Sequence, residues 1–318
     1  MAHAGRALEP LRLFAVALQF LTRLPVPRVE FRRDDLRRAS ALFPLVGAVV
    51  AGVGIGFRAA LEPLWGEGVA TVAALAAMIA VTGALHEDGL ADTADGLWGG
   101  WNPARRLAIM RDSRIGTYGA VVLIMTLGLR ASLLLPLGLA DFARAVACGH
   151  VLGRASTLLL VRLLPVATPP GGGGEAARGE ANGGEVARGE AAACEAAGRQ
   201  APGGEAPGGE AAGGEAAGGN AGDAGEAVRP RLAAAVVGPL SPRGAFAAVV
   251  VVVLTVLLAT GVWAAVPLAA GLLICLLCAE LFRRRLGGIT GDTLGAANQL
   301  VELAAIAAVA ALARAGLL

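Results

Sequence analysis

The stretch "AFAAVVVVVLTVLLATGVWAAVPLAAGLLICLLCAELFRRR", residues 245–285, decides the fold. Two apolar runs, 245–260 and 262–281, meet at Gly261, and the second gives way to Arg283, Arg284 and Arg285. A helix rises about 1.5 Å per residue, so roughly 17–25 residues cross the ~30 Å hydrocarbon core of a bilayer. Residues 249–259 are rich in β-branched side chains but lack the alternation of a barrel strand. The stretch therefore predicts a helical hairpin that enters and leaves a membrane on the same side.

Similar runs recur at 41–60, 69–85, 119–140, 145–164 and 300–318. The chain is 56% hydrophobic and 16% charged, where a soluble protein carries about 25% charge. Its mean hydropathy is +0.65. These values predict an all-α, polytopic membrane protein of about seven hydrophobic helices. All its cationic side chains are arginine, clustered at 23–38, 105–114, 229–243 and 283–285. Pairing 41–60 with 69–85, 119–140 with 145–164, and 245–260 with 262–281 returns all four clusters to one side. The positive-inside rule makes that side cytoplasmic. Residues 8–24 either span or lie along the interface; they carry no small-residue cleavage site, so a removable signal is not expected.

Residues 168–230 are a different material, a loose repeat of Gly, Ala and Glu such as "APGGEAPGGEAAGGEAAGG". So little of it can be buried that folding could not offset its ordering entropy, and it reads as a cytoplasmic linker. It divides a membrane part, 1–167, from a second, 231–318. Cys148, Cys194, Cys275 and Cys278 suggest no disulfide framework; the C-L-L-C pair reads as small buried hydrophobes.

"ALHEDGLADTADGLWGG", residues 84–100, breaks the apolar pattern with four carboxylates. On a helix Asp88, Asp92 and Asp95 share a stripe about 60° wide, while Leu90, Ala94 and Leu97 face the opposite way. Glu87 points aside and reads as peripheral. Like charges one turn apart repel, and an aspartate near mid-bilayer costs about 2.5–3.5 kcal/mol, so a cation is expected among them. Magnesium suits hard carboxylate oxygens completed by substrate phosphates. A solvated acidic loop is the competing reading. His86 precedes the stripe and joins it only if the backbone leaves helix near Gly89.

Further on, Arg111 and Arg114 bracket Asp112 and Ser113 in "IMRDSRIGTYG", residues 109–119. Their planar guanidinium groups suit bidentate contact with phosphate. Arg105 and Arg106 read as positive-inside arginines alone. In "GGITGDTLGAANQLVEL", 287–303, Asp292 stands where an N-cap would stand, ahead of a helix starting near Thr293. Asp292, Gly295, Ala296 and Gln299 line one side of that helix, and Glu302 is an acid within an apolar run, a functional candidate by its cost. Arg23, just ahead of Pro25 and Pro27, holds a phosphate or anchors at the interface.

Taken in order, "LQFLTRLPVP" (18–27), "FPLVG" (43–47), "HEDGLADTADG" (86–96), "IMRDSRIGTYG" (109–119) and "GGITGDTLGAANQLVEL" (287–303) resemble the cobalamin synthase family, the adenosylcobinamide-GDP ribazoletransferases. The resemblance covers most of the chain outside the linker. It implies a multi-pass membrane enzyme that uses Mg2+ to join adenosylcobinamide-GDP to α-ribazole, or α-ribazole 5′-phosphate, releasing GMP. It places His86, Asp88, Asp92 and Asp95 in one motif block, Arg111, Asp112, Ser113 and Arg114 in a second, and Thr290 with Asp292 in a third. Two departures stand out. Gln299 sits where family members often carry an acid, and the linker interrupts the region where a polar loop with an arginine and a Gly-Leu-Gly run is expected.

With that reaction, Asp88, Asp92 and Asp95 are the expected Mg2+ ligands. Arg23, Arg111, Ser113, Arg114, Thr290 and Asp292 are expected to hold substrate, and His86 or Asp112 to take the proton of the attacking hydroxyl. Besides its substrates the expected partner is the bilayer; nucleic acid is not expected, and self-association stays open. A CDP-alcohol phosphotransferase is the nearest alternative, but after Asp88-Gly89 the chain reads Leu-Ala-Asp-Thr, which breaks that signature. A magnesium transporter is the non-enzymatic alternative, though no internal repeat is visible.

Overall fold

The computed structural model describes residues 2–27, 29–32, 34–168, 236, 238 and 240–318, with side chains from residue 9 onward. The segment read as a linker lies outside the described residues from 169 to 230, as does Cys194.

The described elements are α1 (Ala2–Leu21), α2 (Asp35–Ala39), α3 (Phe43–Thr82), α4 (Leu85–Gly99), α5 (Pro103–Met110), α6 (Thr117–Leu134), α7 (Leu139–Leu163), α8 (Pro242–Thr260), α9 (Ala265–Leu286) and α10 (Gly291–Arg314). Six helical segments among the described residues, Asp35–Thr82 first, are long and apolar enough to cross a membrane. α1, with Pro10 inside it, is not one of them. It packs on α2 and α3 instead, tied to α2 by Arg12 donating to the Asp35 carboxylate at 3.0 Å.

The 40 residues of α3 are two arms, because Gly66 sits at φ 76, ψ 171 in their midst. Cross-contacts show the arms antiparallel: a Cβ on Gly54 would strike the Met78 side chain, and the Arg58 guanidinium donates to the Thr71 hydroxyl. Only glycine takes that left-handed conformation without strain, so Gly66 permits a one-residue reversal. Counting both arms, the apolar segments make the seven passes expected from the sequence. α6 and α7, like α8 and α9, follow one another through short connections, but each packs mainly on other helices: α6 on α4, α7 on α10 and α3, α8 on α7, and α9 on α10. Arg58 stabilises the end remote from the arginine clusters, donating to Glu62 at 3.0 Å and to the Leu137 carbonyl at 3.3 Å, and stacking on Phe142.

α7 and α10 form the centre, α10 packing on α7, α4 and α9 while α7 also packs on α3. Lipid offers no hydrophobic drive between helices, so close backbone approach must supply the packing. A Cβ on Gly153 would lie 2.9 Å from the Asn298 carbonyl, and one on Gly149 2.8 Å from Ile306. α8 lies outermost, with most of its surface open, as suits a helix facing acyl chains. The two membrane parts thus form one bundle, further joined where Ile289 donates to the Pro165 carbonyl and Ala167 to that of Ile289. Cys148, Cys275 and Cys278 are buried free thiols, as expected.

Candidate functional site

The apolar second arm of α3 stops short at Thr82. Gly83 and Ala84 both adopt left-handed dihedrals, φ 62 and 58, closed by hydrogen bonds from Gly83 to Ala80 and from Ala84 to Ile79. Ala84 is the one non-glycine residue with positive φ among the described residues, a conformation costing about 1–2 kcal/mol. Arg23 meets this break: its amide donates to the Val81 carbonyl at 2.7 Å, and its side chain lies across Gly83 where a Cβ would clash. Beyond the break the chain restarts as α4, which carries the acidic stripe.

α4 is an unbroken helix, so its faces are well separated. One face packs on α10: a Cβ on Gly89 would lie 2.8 Å from the Asp292 carbonyl and 3.3 Å from the Gly295 Cα. Near its C-terminal end Gly96 abuts Met110 and the Arg106 carbonyl of α5. On a third side Asp95 turns to α6, where its carboxylate accepts the Gly116 amide at 2.7 Å and the Gly119 amide at 2.9 Å. It caps that helix from a neighbouring one, filling two of the donor positions that a helix N-terminus leaves open. Asp88 is exposed, and Asp92 is buried one turn further on. The acids therefore stand beside the first turns of both α6 and α10. The positive ends of those helix dipoles favour carboxylates and phosphates there.

Asp292 is not the cap expected of it. Thr290 is the N-cap of α10, its hydroxyl accepting from the Thr293 amide at 3.2 Å while the Thr293 hydroxyl accepts from the Thr290 amide at 2.8 Å. Asp292 falls in the first turn, where its backbone seats Gly89. In the α5–α6 loop, Arg111, Ser113 and Arg114 are exposed. Arg114 forks onto Asp112 at 2.7 and 3.0 Å, and this guanidinium holds the Asp112 carboxyl down at about 2. A carboxylate so stabilised is a poor proton acceptor near neutrality. Arg106 is no mere positive-inside residue: it is buried and donates to the Gly100 and Arg285 carbonyls, both at 2.9 Å, holding α5 to the end of α9.

These helices and their acidic stripe match a known family over most of the chain. The model of the cobalamin-5-phosphate synthases matches residues 13–196 and 222–310. The chain belongs to that family. Similar curated proteins, each named adenosylcobinamide-GDP ribazoletransferase, occur in several bacteria. One from Leptothrix cholodnii is 37% identical over 298 residues, 92% of this chain and 93% of the relative. Another from Shewanella halifaxensis is 43% identical over 150 residues, 46% of this chain and 58% of the relative. A third, from Ralstonia nicotianae, is 45% identical over 141 residues, 44% of this chain and 55% of the relative. No solved structure matches. The internal stretch the family leaves unmatched, 197–221, falls wholly within the Gly/Ala/Glu-rich segment.

For a cobalamin-5-phosphate synthase the donor chemistry at α4 suits a hard divalent cation, because every ligand on offer is a carboxylate oxygen. Among the described residues no three His, Cys, Asp or Glu side chains converge as a ready-made metal cage. Within the three-aspartate set expected from the helical wheel, Asp95 accepts two α6 amides, and Asp88 and Asp92 stand on the same helix beside it. This arrangement fits an ion that takes one or two carboxylates and completes its shell with phosphate and water.

His86 does not join the stripe. The helix continues through Gly89, and His86 lines a small buried cavity with Met78, Thr82, Glu87 and Arg130. Glu87, expected to be peripheral, is 7% exposed, accepts from Gln299 at 3.2 Å and lies 3.8 Å from Arg130. Sequence reasoning also passed over Arg130, His150 and Arg154, all buried around Glu302. Their signal was available, since each is an ionisable residue inside an apolar run.

Proposed function

We propose that this chain is a magnesium-dependent adenosylcobinamide-GDP ribazoletransferase of a bacterial inner membrane, with its arginine-rich end in the cytoplasm. The observation that supports this most is the family match across 13–196 and 222–310, which spans the acidic α4 and both helices whose N-termini flank it. The reaction joins adenosylcobinamide-GDP to α-ribazole or its 5′-phosphate, releasing GMP. The positive-inside rule supports the orientation.

Asp88 and Asp92 would hold Mg2+, which supplies charge neutralisation on the transferring phosphoryl group and the departing GMP. Asp95 positions the first turn of α6, whose dipole faces the same region. The exposed Arg111 and Arg114 would grip phosphate oxygens, Arg114 by exchanging Asp112 for substrate. Arg23, at the break before α4, is a further cation for the diphosphate, and Ser113 a hydroxyl donor beside it. Thr290 serves by holding the α10 N-terminus in shape, and Asp292 by seating α4 on that turn. A ribazole hydroxyl attacks the phosphorus nearer cobinamide, its oxygen–phosphorus bond forming as the bond to GMP breaks and its proton departs. His86 faces the protein interior and Asp112 is pinned by Arg114, so neither is assigned that proton.

Purified protein in lipid nanodiscs, given adenosylcobinamide-GDP, α-ribazole and Mg2+, should release GMP and form the cobalamin product. Release of CMP from a CDP-alcohol, with no GMP from the corrinoid substrate, would overturn the assignment.

A further inference from the structure

Beneath the acidic stripe lies a buried ionic cluster to which the proposed reaction gives no part. Four helices build it: α4 supplies Glu87, α6 Arg130, α7 His150 and Arg154, and α10 Gln299 and Glu302. Glu302 lies 11 residues past the start of α10, about 16 Å down the helix, so the cluster sits well inside the bundle. Its members face one another, although Glu87 Oε2, the Nε atoms of Arg130 and Arg154, and both Glu302 oxygens make no hydrogen bond. Glu302 lies 2.8 Å from His150 Nδ1, 3.3 Å from Arg130 and 3.8 Å from Arg154. Arg154 donates to the His150 carbonyl at 3.2 Å, and its Nη1 stands 3.0 Å from His150 Nδ1. Two arginines face two glutamates, so the cluster balances at net zero with His150 neutral.

Within it Arg130 has a place no other residue shares. Its Nη1 stands between the Glu302 and Glu87 carboxylates, and its Nη2 donates to the Gln299 side-chain oxygen. Gln299 in turn donates to Glu87 at 3.2 Å. Glu87 is therefore held by a closed loop of Arg130 and Gln299, fixed to α10 and α7 through Glu302. It precedes Asp88 directly, so holding Glu87 fixes both how deep α4 sits and how it is rotated. Charged groups this far from water have few alternative partners, and a shift of α4 would leave Glu87 or Arg130 buried and unpaired.

We infer that Arg130 is a positioning residue: by bridging Glu87 to Glu302 and Gln299, it sets the register in which α4 presents Asp88 and Asp92 and brings Asp95 to the Gly116 and Gly119 amides. The inference rests on the proposed activity for its purpose, but its geometry is read without substrate. The double variant Glu87→Leu/Arg130→Leu removes both charges together, and Glu302 keeps Arg154 and His150, so the interior stays balanced. This variant should insert and melt near the parent. Its Gly116 and Gly119 amides should exchange with solvent about tenfold faster, while amides in the middle of α7 keep their rates. In turnover, kcat should fall while KM for α-ribazole changes little. A cluster that merely stabilises the bundle would move none of these at constant melting temperature.

Parent exchange at both glycines together with parent kcat in the double variant would overturn the inference. Should that variant fail to insert, Glu87→Gln decides, since it keeps side-chain length and the Gln299 contact but removes the charge. It should show the same changes at smaller size, and unchanged exchange at Gly116 and Gly119 would again refute the role. The exchange measurement uses no substrate, so it can fail while GMP release stands, and GMP release can fail while it succeeds.

Discussion

Gly89→Ala tests how closely α4 must seat on α10. The added Cβ would lie 2.8 Å from the Asp292 carbonyl oxygen, 3.1 Å from the Asp292 Cα and 3.3 Å from the Gly295 Cα. All three are backbone atoms, so no side chain can swing aside. Relaxed carbon contacts lie at about 3.5–4.0 Å, so the two helices must part by roughly 0.5–1 Å. Overpacking of this kind costs about 1–3 kcal/mol of stability. Displacing a reacting constellation by about 1 Å costs on the order of 100-fold in rate. The Asp88 carboxylate is carried by the residue next to the clash, so turnover should suffer more than folding. The assay is GMP release per inserted protein alongside thermal unfolding in the same nanodiscs. Gly52→Ala is the control, because a Cβ there meets nothing within 4 Å; it should leave GMP release unchanged and should not lower the melting temperature. If Gly89→Ala released GMP at the parent rate with the parent melting temperature, the α4–α10 contact would not set the site.

Asp92→Asn should reduce GMP release by about 100- to 1,000-fold at saturating substrate, the scale on which one preorganised electrostatic group acts, with insertion and melting little changed. Thr290→Ala removes half of a reciprocal cap and should destabilise α10 by about 0.5–2 kcal/mol, seen as faster amide exchange over its first turn. Asp112 is held at about 2 by Arg114, below an ordinary carboxylate. A depressed value means that the pairing is complete above the unfolded carboxyl's range and is lost only as pH falls through about 2. Asp112→Asn should therefore leave every ionisation between pH 5 and 9 in the pH–rate profile where it was. Loss of a limb near neutrality would restore Asp112 as the base.

Much of the fold is legible in the chain. Runs of apolar residues at membrane length, and arginines gathered at alternate ends of them, give helices, passes and pairing without tertiary information. Both constraints act locally: a backbone in hydrocarbon must satisfy its own hydrogen bonds, and a guanidinium stays near water. The Gly66 reversal was visible as the short turn between two such runs. The acidic stripe was equally visible, because a helical period places Asp88, Asp92 and Asp95 together whatever surrounds them.

The partners of those residues were not legible. Three carboxylates share one stripe, yet it is Asp95 whose oxygens accept the Gly116 and Gly119 amides, because α6 happens to begin beside it. Asp292 looks like a cap from its neighbours, but the hydroxyl of Thr290 reaches the open amide first. Glu87, off the stripe and so read as peripheral, finds Arg130 and Gln299 from helices more than forty and two hundred residues away. The sequence by itself determined that this chain lies in a membrane as apolar helices and carries a stripe of acid at its arginine-rich end. Only the tertiary structure decided which acid anchors, which faces outward and which is buried against a cation, because those outcomes depend on contacts between helices far apart in the chain.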